Sequence, residues 1–437
     1  MERAKPIGDA KIKHPELIYS FVLMAVLCLL GGGNSIFSIL ILICFIPLMF
    51  KPEYLIGPVI FSSIWGNYII VASGQSLARY LTLFFIFGVL VKVIQQKRKI
   101  KVDFWFITII LAILLGLMLS MFGIHGYTSI PTSYILTMFL FLVAIYCPIS
   151  SKEVLIKQLW YFSILSIAYS CWFLLRNGLD AFDEGKIGMI EDGVNSNTVA
   201  KGICIVAIVI LTHFLYVNLK RKIVHITLIL MSVFLLFITG SRTALVAFII
   251  AGTICILYWL RSSSKKAIGA IIVIAVSLIL FTYIYNFLLE ALPELMKRFA
   301  LDDVLEDGGT GRIDVWKAYM ECYFSDYWFF GIGFDPLNLY YAVENVNGIG
   351  HGAHNHIIDI LASSGMVGLV LYFSMYIKAY KEGFKLAKTE KSVIIPLGML
   401  TASLALGIGE NVLRGRLLWF SIFLILMLKQ VNEKKPI

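Results

Sequence analysis

The sequence predicts an all-α fold, a polytopic bundle of 12–14 transmembrane helices with one large extracytoplasmic loop. Three observations carry that expectation. The chain of 437 residues is 59% hydrophobic and only 15% charged, with a mean hydropathy of +0.86, well outside the range of soluble domains. Apolar runs long enough to cross a bilayer recur along its whole length. Those runs are continuous and not alternating, which excludes a transmembrane barrel and leaves helices, the other way to satisfy every backbone polar group inside lipid.

Taken in order, the spans fall near 17–30, 35–50, 54–72, 77–94, 102–122, 131–148, 154–175, 198–217, 223–239, 243–260, 266–289, 355–377, 392–409 and 417–429. The Gly31-Gly32-Gly33-Asn34 break separates two short spans, and a re-entrant hairpin there would reduce the total from fourteen to twelve. Three regions result: N-terminal helices over 1–289, a large outer loop over 290–353 containing short helices, and C-terminal helices over 354–437. The polar stretch Met1–Glu16 leads straight into the first span without a small-residue cleavage site, so it reads as an uncleaved start. Six of the seven cysteines sit in apolar runs, and Cys322 lies in the loop, so no disulfide framework is implied.

Charge sets the orientation. With the N-terminus in the cytoplasm, 26 of the 37 Lys and Arg residues fall on inner segments, including the Lys97–Lys101 and Lys378–Lys391 clusters. The positive-inside rule is then satisfied with both termini cytoplasmic and the long loop outside. The net charge of +10 is accounted for by inner loops facing an anionic leaflet, and no nucleic-acid-binding motif accompanies it.

Basic residues left outside do not serve topology. They are Arg79, Arg176, Lys186, Lys201, Arg242, Lys297, Arg298, Arg312, Lys317, Arg414 and Arg416. Several end helices, where snorkelling explains them. Arg242 differs, because it sits in the minimal turn Thr239-Gly240-Ser241-Arg242-Thr243 between two spans. An arginine at that depth calls for an anion or a carboxylate.

The segment from Thr310 to Gly368 is the one long polar island. Between Ala291 and Gly350 the loop holds ten carboxylates against Lys297, Arg298, Arg312 and Lys317. The run Asp302–Asp307 lacks EF-hand spacing and reads as solvated loop. From Gly311 to Phe324 apolar residues recur at helical spacing, so a helix is predicted on the membrane surface or over the bundle. Arg312 falls in its first turn, where free N–H groups and a guanidinium fork both suit phosphate oxygens. His351, His354 and His356 lack zinc-ligand spacing, so no metal site is expected. A histidine at the mouth of a span either takes a proton from an incoming hydroxyl or is an interfacial side chain bonded to loop backbone.

Together these pieces resemble the O-antigen ligase and O-antigen polymerase family of bacterial envelope glycosyltransferases. The matching residues are Thr239-Gly240-Ser241-Arg242, Gly311-Arg312 followed by Trp316, and the Gly331-x-Gly333 turn. His354-Asn355 followed by Leu361, Gly365 and Gly368 completes the outer face, and Asn195-Ser196-Asn197 resembles the family's Asn-rich start of a helix. Where family members often carry a proline before the Gly-x-Gly turn, Tyr327-Trp328-Phe329-Phe330 stands here.

The resemblance implies an inner-membrane glycosyltransferase with an extracytoplasmic site, an undecaprenyl-diphosphate-linked glycan as donor, and no cofactor or obligatory metal. The acceptor is a lipid-linked repeat unit for a polymerase or lipid A-core for a ligase, and a chain-length regulator is a further partner. It assigns Arg242 and Arg312 to the diphosphate and His354 to the acceptor hydroxyl, as catalytic residues. Asn197, His356, Asp359, Glu410, Arg414 and Arg416 follow as substrate-binding candidates, with His356 and Asp359 one helical turn apart. Glu410, Arg414 and Arg416 either complete the site or pair with one another. The rival expectation is a flippase for the same lipid-linked sugars, which calls for polar residues or broken helices near the midplane of its spans.

Overall fold

In the computed structural model, residues 14–30, 35–65, 70–71, 75–97, 101–121, 132–177, 196–215, 222–260, 312–334, 352–413 and 415–433 are described, with four isolated positions between 283 and 290. The protein is a helical membrane protein, as its hydropathy predicts. Among the described residues the helices in chain order are α1 Pro15–Leu30, α2 Ser35–Met49, α3 Ile56–Trp65, α4 Leu77–Gln95, α5 Phe104–Met121, α6 Thr132–Ala144 and α7 Lys152–Asn177. They continue as α8 Ser196–Phe214, α9 Lys222–Ile238, α10 Arg242–Leu260, α11 Arg312–Cys322, α12 His356–Leu386, α13 Ile394–Leu406 and α14 Arg416–Glu433. Five of these, over Leu77–Gln95, Lys152–Trp172, Asn197–Phe214, Arg242–Leu260 and His356–Ala387, are long and apolar enough to cross a membrane.

The C-terminal helices form the middle of the bundle. In α13 every residue from Ile394 to Ser403 is buried, and in α14 every residue from Leu418 to Leu428 is buried. A helix that is apolar all round belongs at such a centre. Accordingly α13 packs against α8, α10 and α14. Peripheral helices turn their apolar faces outward instead, as α10 does with Val246, Ile249, Ile254 and Leu257. Several hydroxyls inside the helices are satisfied by their own backbone: Ser166, Ser170, Thr212 and Thr401 each donate to the carbonyl four residues earlier, so they cost little in an apolar setting.

Two predicted spans take a different form. The span expected over 54–72 is a 3₁₀ turn, Pro52–Leu55, followed by the ten-residue α3. A glycine follows Trp65, and beyond it Ile70–Val71 pairs antiparallel with Gln75–Ser76 as a minimal hairpin. The hairpin is the only strand structure among the described residues. The second case is α12, whose 31 residues extend well past the expected 355–377. The predicted span over 266–289 lies outside the described residues apart from isolated positions.

α12 is broken at Gly365, where φ is 62° and ψ is −160°. The break frees backbone groups that lipid cannot satisfy, and the loop 328–333 takes them up. Ile332 N donates to Ala362 O at 2.6 Å and Gly333 N to Ser363 O at 3.0 Å. In return, Met366 N donates to Trp328 O at 2.9 Å and Val367 N to Phe329 O at 3.2 Å. Irregular backbone at such depth is tolerated where protein surrounds it, and here the Gly-x-Gly turn is that protein. A Cβ on Gly365 would overlap the Phe329 carbonyl oxygen, and its positive φ is one that glycine adopts without strain. Gly365→Ala is therefore expected to destabilise the protein by at least about 2 kcal/mol, read as a lowered melting temperature in detergent. An unchanged transition would contradict this account of the break.

Candidate functional site

Helix α11 begins at Arg312, as its sequence spacing predicts, and runs on through one turn of π-helix, Tyr323–Tyr327. It is tied to the start of α12: Trp316 Nε1 donates to Ala353 O at 2.6 Å. Val315, Ala318, Tyr319 and Cys322 form a small core with Ile332, Ala353 and Ala362. α11 thus lies over the N-terminal end of α12, held by the same loop that closes the Gly365 break.

The start of α12 is capped by Asn355, whose side-chain oxygen accepts from Ile357 N at 3.0 Å and Ile358 N at 3.2 Å. A cap of this kind satisfies the free N–H groups of a first turn. His354, just outside the helix, has φ of 44°, in the left-handed region that non-glycine residues rarely occupy. Its side chain is 46% exposed. The backbone thereby carries the imidazole off the helix axis and into the open.

Four successive residues of the turn between α13 and α14 gather the other groups. Gly407 O accepts from His356 N at 2.7 Å, and Ile408 O accepts from Asn355 Nδ2 at 3.2 Å. Gly409 O accepts from Arg312 Nη1 at 3.1 Å. Glu410 Oε2 accepts from Lys201 Nζ at 2.9 Å and lies 3.9 Å from His354 Nδ1. A Cβ on Gly409 would overlap Thr243 Oγ1 and stand 2.9 Å from Arg312 Nη1. Thr243 is the neighbour of Arg242 at the head of α10, so α8, α10, α11, α12 and the 407–410 turn converge on one spot.

The electrostatics of that spot are cationic with one buried counter-charge. Arg242 is half-buried and makes no hydrogen bond or ion pair with the described residues, while Arg312 is half-buried with one hydrogen bond, to a carbonyl. Glu410 is buried. Burial alone pushes its carboxyl pKa up, but His354 and the Lys201 ammonium outweigh burial and hold it down at about 2. Its second oxygen, Oε1, is buried without a hydrogen-bond partner among the described residues. Among the described residues no group of three His, Cys, Asp or Glu side chains is placed to hold a metal ion.

Of the sequence candidates, Arg312, His354 and Glu410 are brought together, and Arg242 stands beside Thr243 at their edge. Asn197 lies one turn before Lys201 on α8. His356 is buried and directs Nε2 to Tyr376 Oη at 3.0 Å, so it faces into the bundle. Asp359 is buried in the next turn of the same helix. Arg416 is occupied elsewhere, with Nη1 3.0 Å from both Ala78 O and Thr82 Oγ1 on α4. Arg414 and His351 lie outside the described residues. Lys201 is the group that sequence reasoning left unassigned. Its signal was its spacing: four residues after Asn197 puts both on one face of α8.

A polytopic helical membrane protein with a cluster of arginines and a histidine at one end of its bundle is the class defined by fold and geometry. Residues 226–373 match the family described as O-antigen ligase, which bears out the resemblance to the O-antigen ligase and polymerase family of inner-membrane proteins. The matched stretch contains Arg242, Arg312 and His354 and ends before the 407–410 turn on which they converge. It supports a membrane glycosyltransferase of ligase or polymerase type, acting on lipid-linked glycan and an acceptor. Comparisons with curated proteins and with solved structures gave no match.

Proposed function

We propose that this protein transfers a glycan from undecaprenyl diphosphate to an acceptor sugar at the outer face of the cytoplasmic membrane, as a polymerase of O-antigen or another surface polysaccharide. The supporting observation is the meeting of Arg312, the head of α10 with Arg242, and His354 around the 407–410 turn. The acceptor hydroxyl attacks the anomeric carbon as the bond to the diphosphate oxygen breaks. Negative charge grows on the leaving diphosphate, where two arginines stabilise it. His354 takes the hydroxyl proton as general base. Glycosyl transfer of this kind uses the bond energy of the lipid diphosphate and calls for no nucleotide sugar. Both termini lie in the cytoplasm in this reading, as the basic inner segments require.

The break in α12 is the observation that favours a transporter, because discontinuous helices often line substrate paths. Four of its backbone groups, however, bond to loop 328–333 and are not offered to a passing headgroup. Reconstitution into liposomes with undecaprenyl-diphosphate-linked repeat units tests the proposal. The expected product is a ladder of longer lipid-linked glycans. Translocation without new glycosidic bonds would replace the enzyme with a flippase, and transfer to lipid A-core alone would replace the polymerase with a ligase.

A further inference from the structure

Lys201 belongs to no part of the reaction so far described, yet it makes the shortest ionic contact in the outer cluster. Its Nζ lies 2.9 Å from Glu410 Oε2, the same oxygen that stands 3.9 Å from His354 Nδ1. The three groups come from α8, from the residue ahead of the α12 cap, and from the turn between α13 and α14. The Lys201 and Glu410 side chains are 22% and 8% exposed, so their charges act through protein and are weakly screened. The chain leading into Glu410 is anchored twice, since the Gly409 carbonyl is held by Arg312 and the Ile408 carbonyl by Asn355.

We propose that Lys201 and Glu410 are positioning residues that together orient His354 and set the charge its ring faces. This rests on the reading of His354 as the base. A carboxylate 3.9 Å from Nδ1 favours the proton on that nitrogen and leaves Nε2 to meet the acceptor hydroxyl, the tautomer that a buried aspartate enforces in a triad histidine. An unopposed carboxylate would do more than orient the ring: it would draw a second proton onto the imidazole and occupy the base before substrate arrives. The Lys201 ammonium, 2.9 Å from the same oxygen, offsets that pull. During transfer the acceptor proton passes to Nε2, and the resulting imidazolium faces Glu410 Oε2.

The charged groups around this oxygen are few among the described residues. Lys201 faces it from α8 and His354 from the start of α12, while Arg312 of α11 is held at the adjacent carbonyl and Arg242 stands at the head of α10. Removing Lys201 therefore leaves the Glu410–His354 pair holding its proton up to a higher pH. The acidic limb of the rate–pH profile is expected to move upward by about one pH unit in Lys201→Met. Lys201→Arg should restore the wild-type limb.

The test uses the full-length protein in lipid nanodiscs, with lipid-linked glycan transfer measured from pH 5 to 9. In parallel the ring nitrogens of His354 are followed by NMR over the same range. An upward move of both curves in Lys201→Met, reversed in Lys201→Arg, supports the assignment. A Lys201→Met profile that overlays wild type, or one lowered equally at every pH, overturns it. The NMR curve is independent of catalysis: if His354→Ala stays active, the base reading fails, while a shifted His354 titration still establishes the Lys201–Glu410–His354 coupling.

Discussion

Replacing His354 with alanine is expected to leave a folded, membrane-inserted protein whose glycan transfer falls by about 10²- to 10⁴-fold. The fold should survive because the imidazole contributes little to packing. His354 is exposed, its one ionic contact is the 3.9 Å approach to Glu410, and the neighbouring Asn355 cap is independent of it. Alanine even keeps the chain short of the α12 start, although its backbone must still accept a φ of 44°. A polysaccharide gel of cells carrying the variant reads the outcome, with membrane abundance measured alongside. Wild-type chain lengths would remove His354 from the chemistry.

Arg312→Ala is expected to lower transfer by about 10²- to 10³-fold, the usual loss for one preorganised group that faces developing charge. Arg312 differs from His354 in having a structural hold, the 3.1 Å hydrogen bond from Nη1 to Gly409 O. That single bond places the guanidinium while leaving the rest of its fork for a ligand. Arg312→Lys separates the two contributions, because a lysine keeps the charge and loses the planar bidentate geometry. The lysine variant should regain only part of the activity. Full activity in Arg312→Ala, at normal abundance in the membrane, would show that the diphosphate is held elsewhere.

Much of this architecture is legible in the sequence. Span after span lands on a helix because a long apolar run in lipid has one way to satisfy its backbone, and composition alone reports the run. The start of α11 at Arg312 and the Gly-x-Gly turn were readable as local signals. Span 54–72 was misjudged for the opposite reason. Hydropathy continues past Trp65, where α3 ends, and a window of apolar residues does not register a stop in the helix. Gly365 was visible as a residue and invisible as a break, since nothing local announces that loop 328–333 will supply the missing hydrogen bonds.

The sequence by itself determined that this is a helical membrane protein and which apolar runs become helices, and it singled out Arg242, Arg312 and His354. Each of those conclusions follows from short-range physics, namely the cost of an unpaired peptide or charge in hydrocarbon. Tertiary structure alone decided the company those residues keep. Lys201 and Glu410 are separated by 209 positions, yet they share one carboxylate oxygen with His354. Arg416, equally isolated in the sequence, is turned away to Ala78 and Thr82. Contacts across such distances depend on how α8, α12 and the α13–α14 turn pack, and no local pattern along the chain encodes that packing.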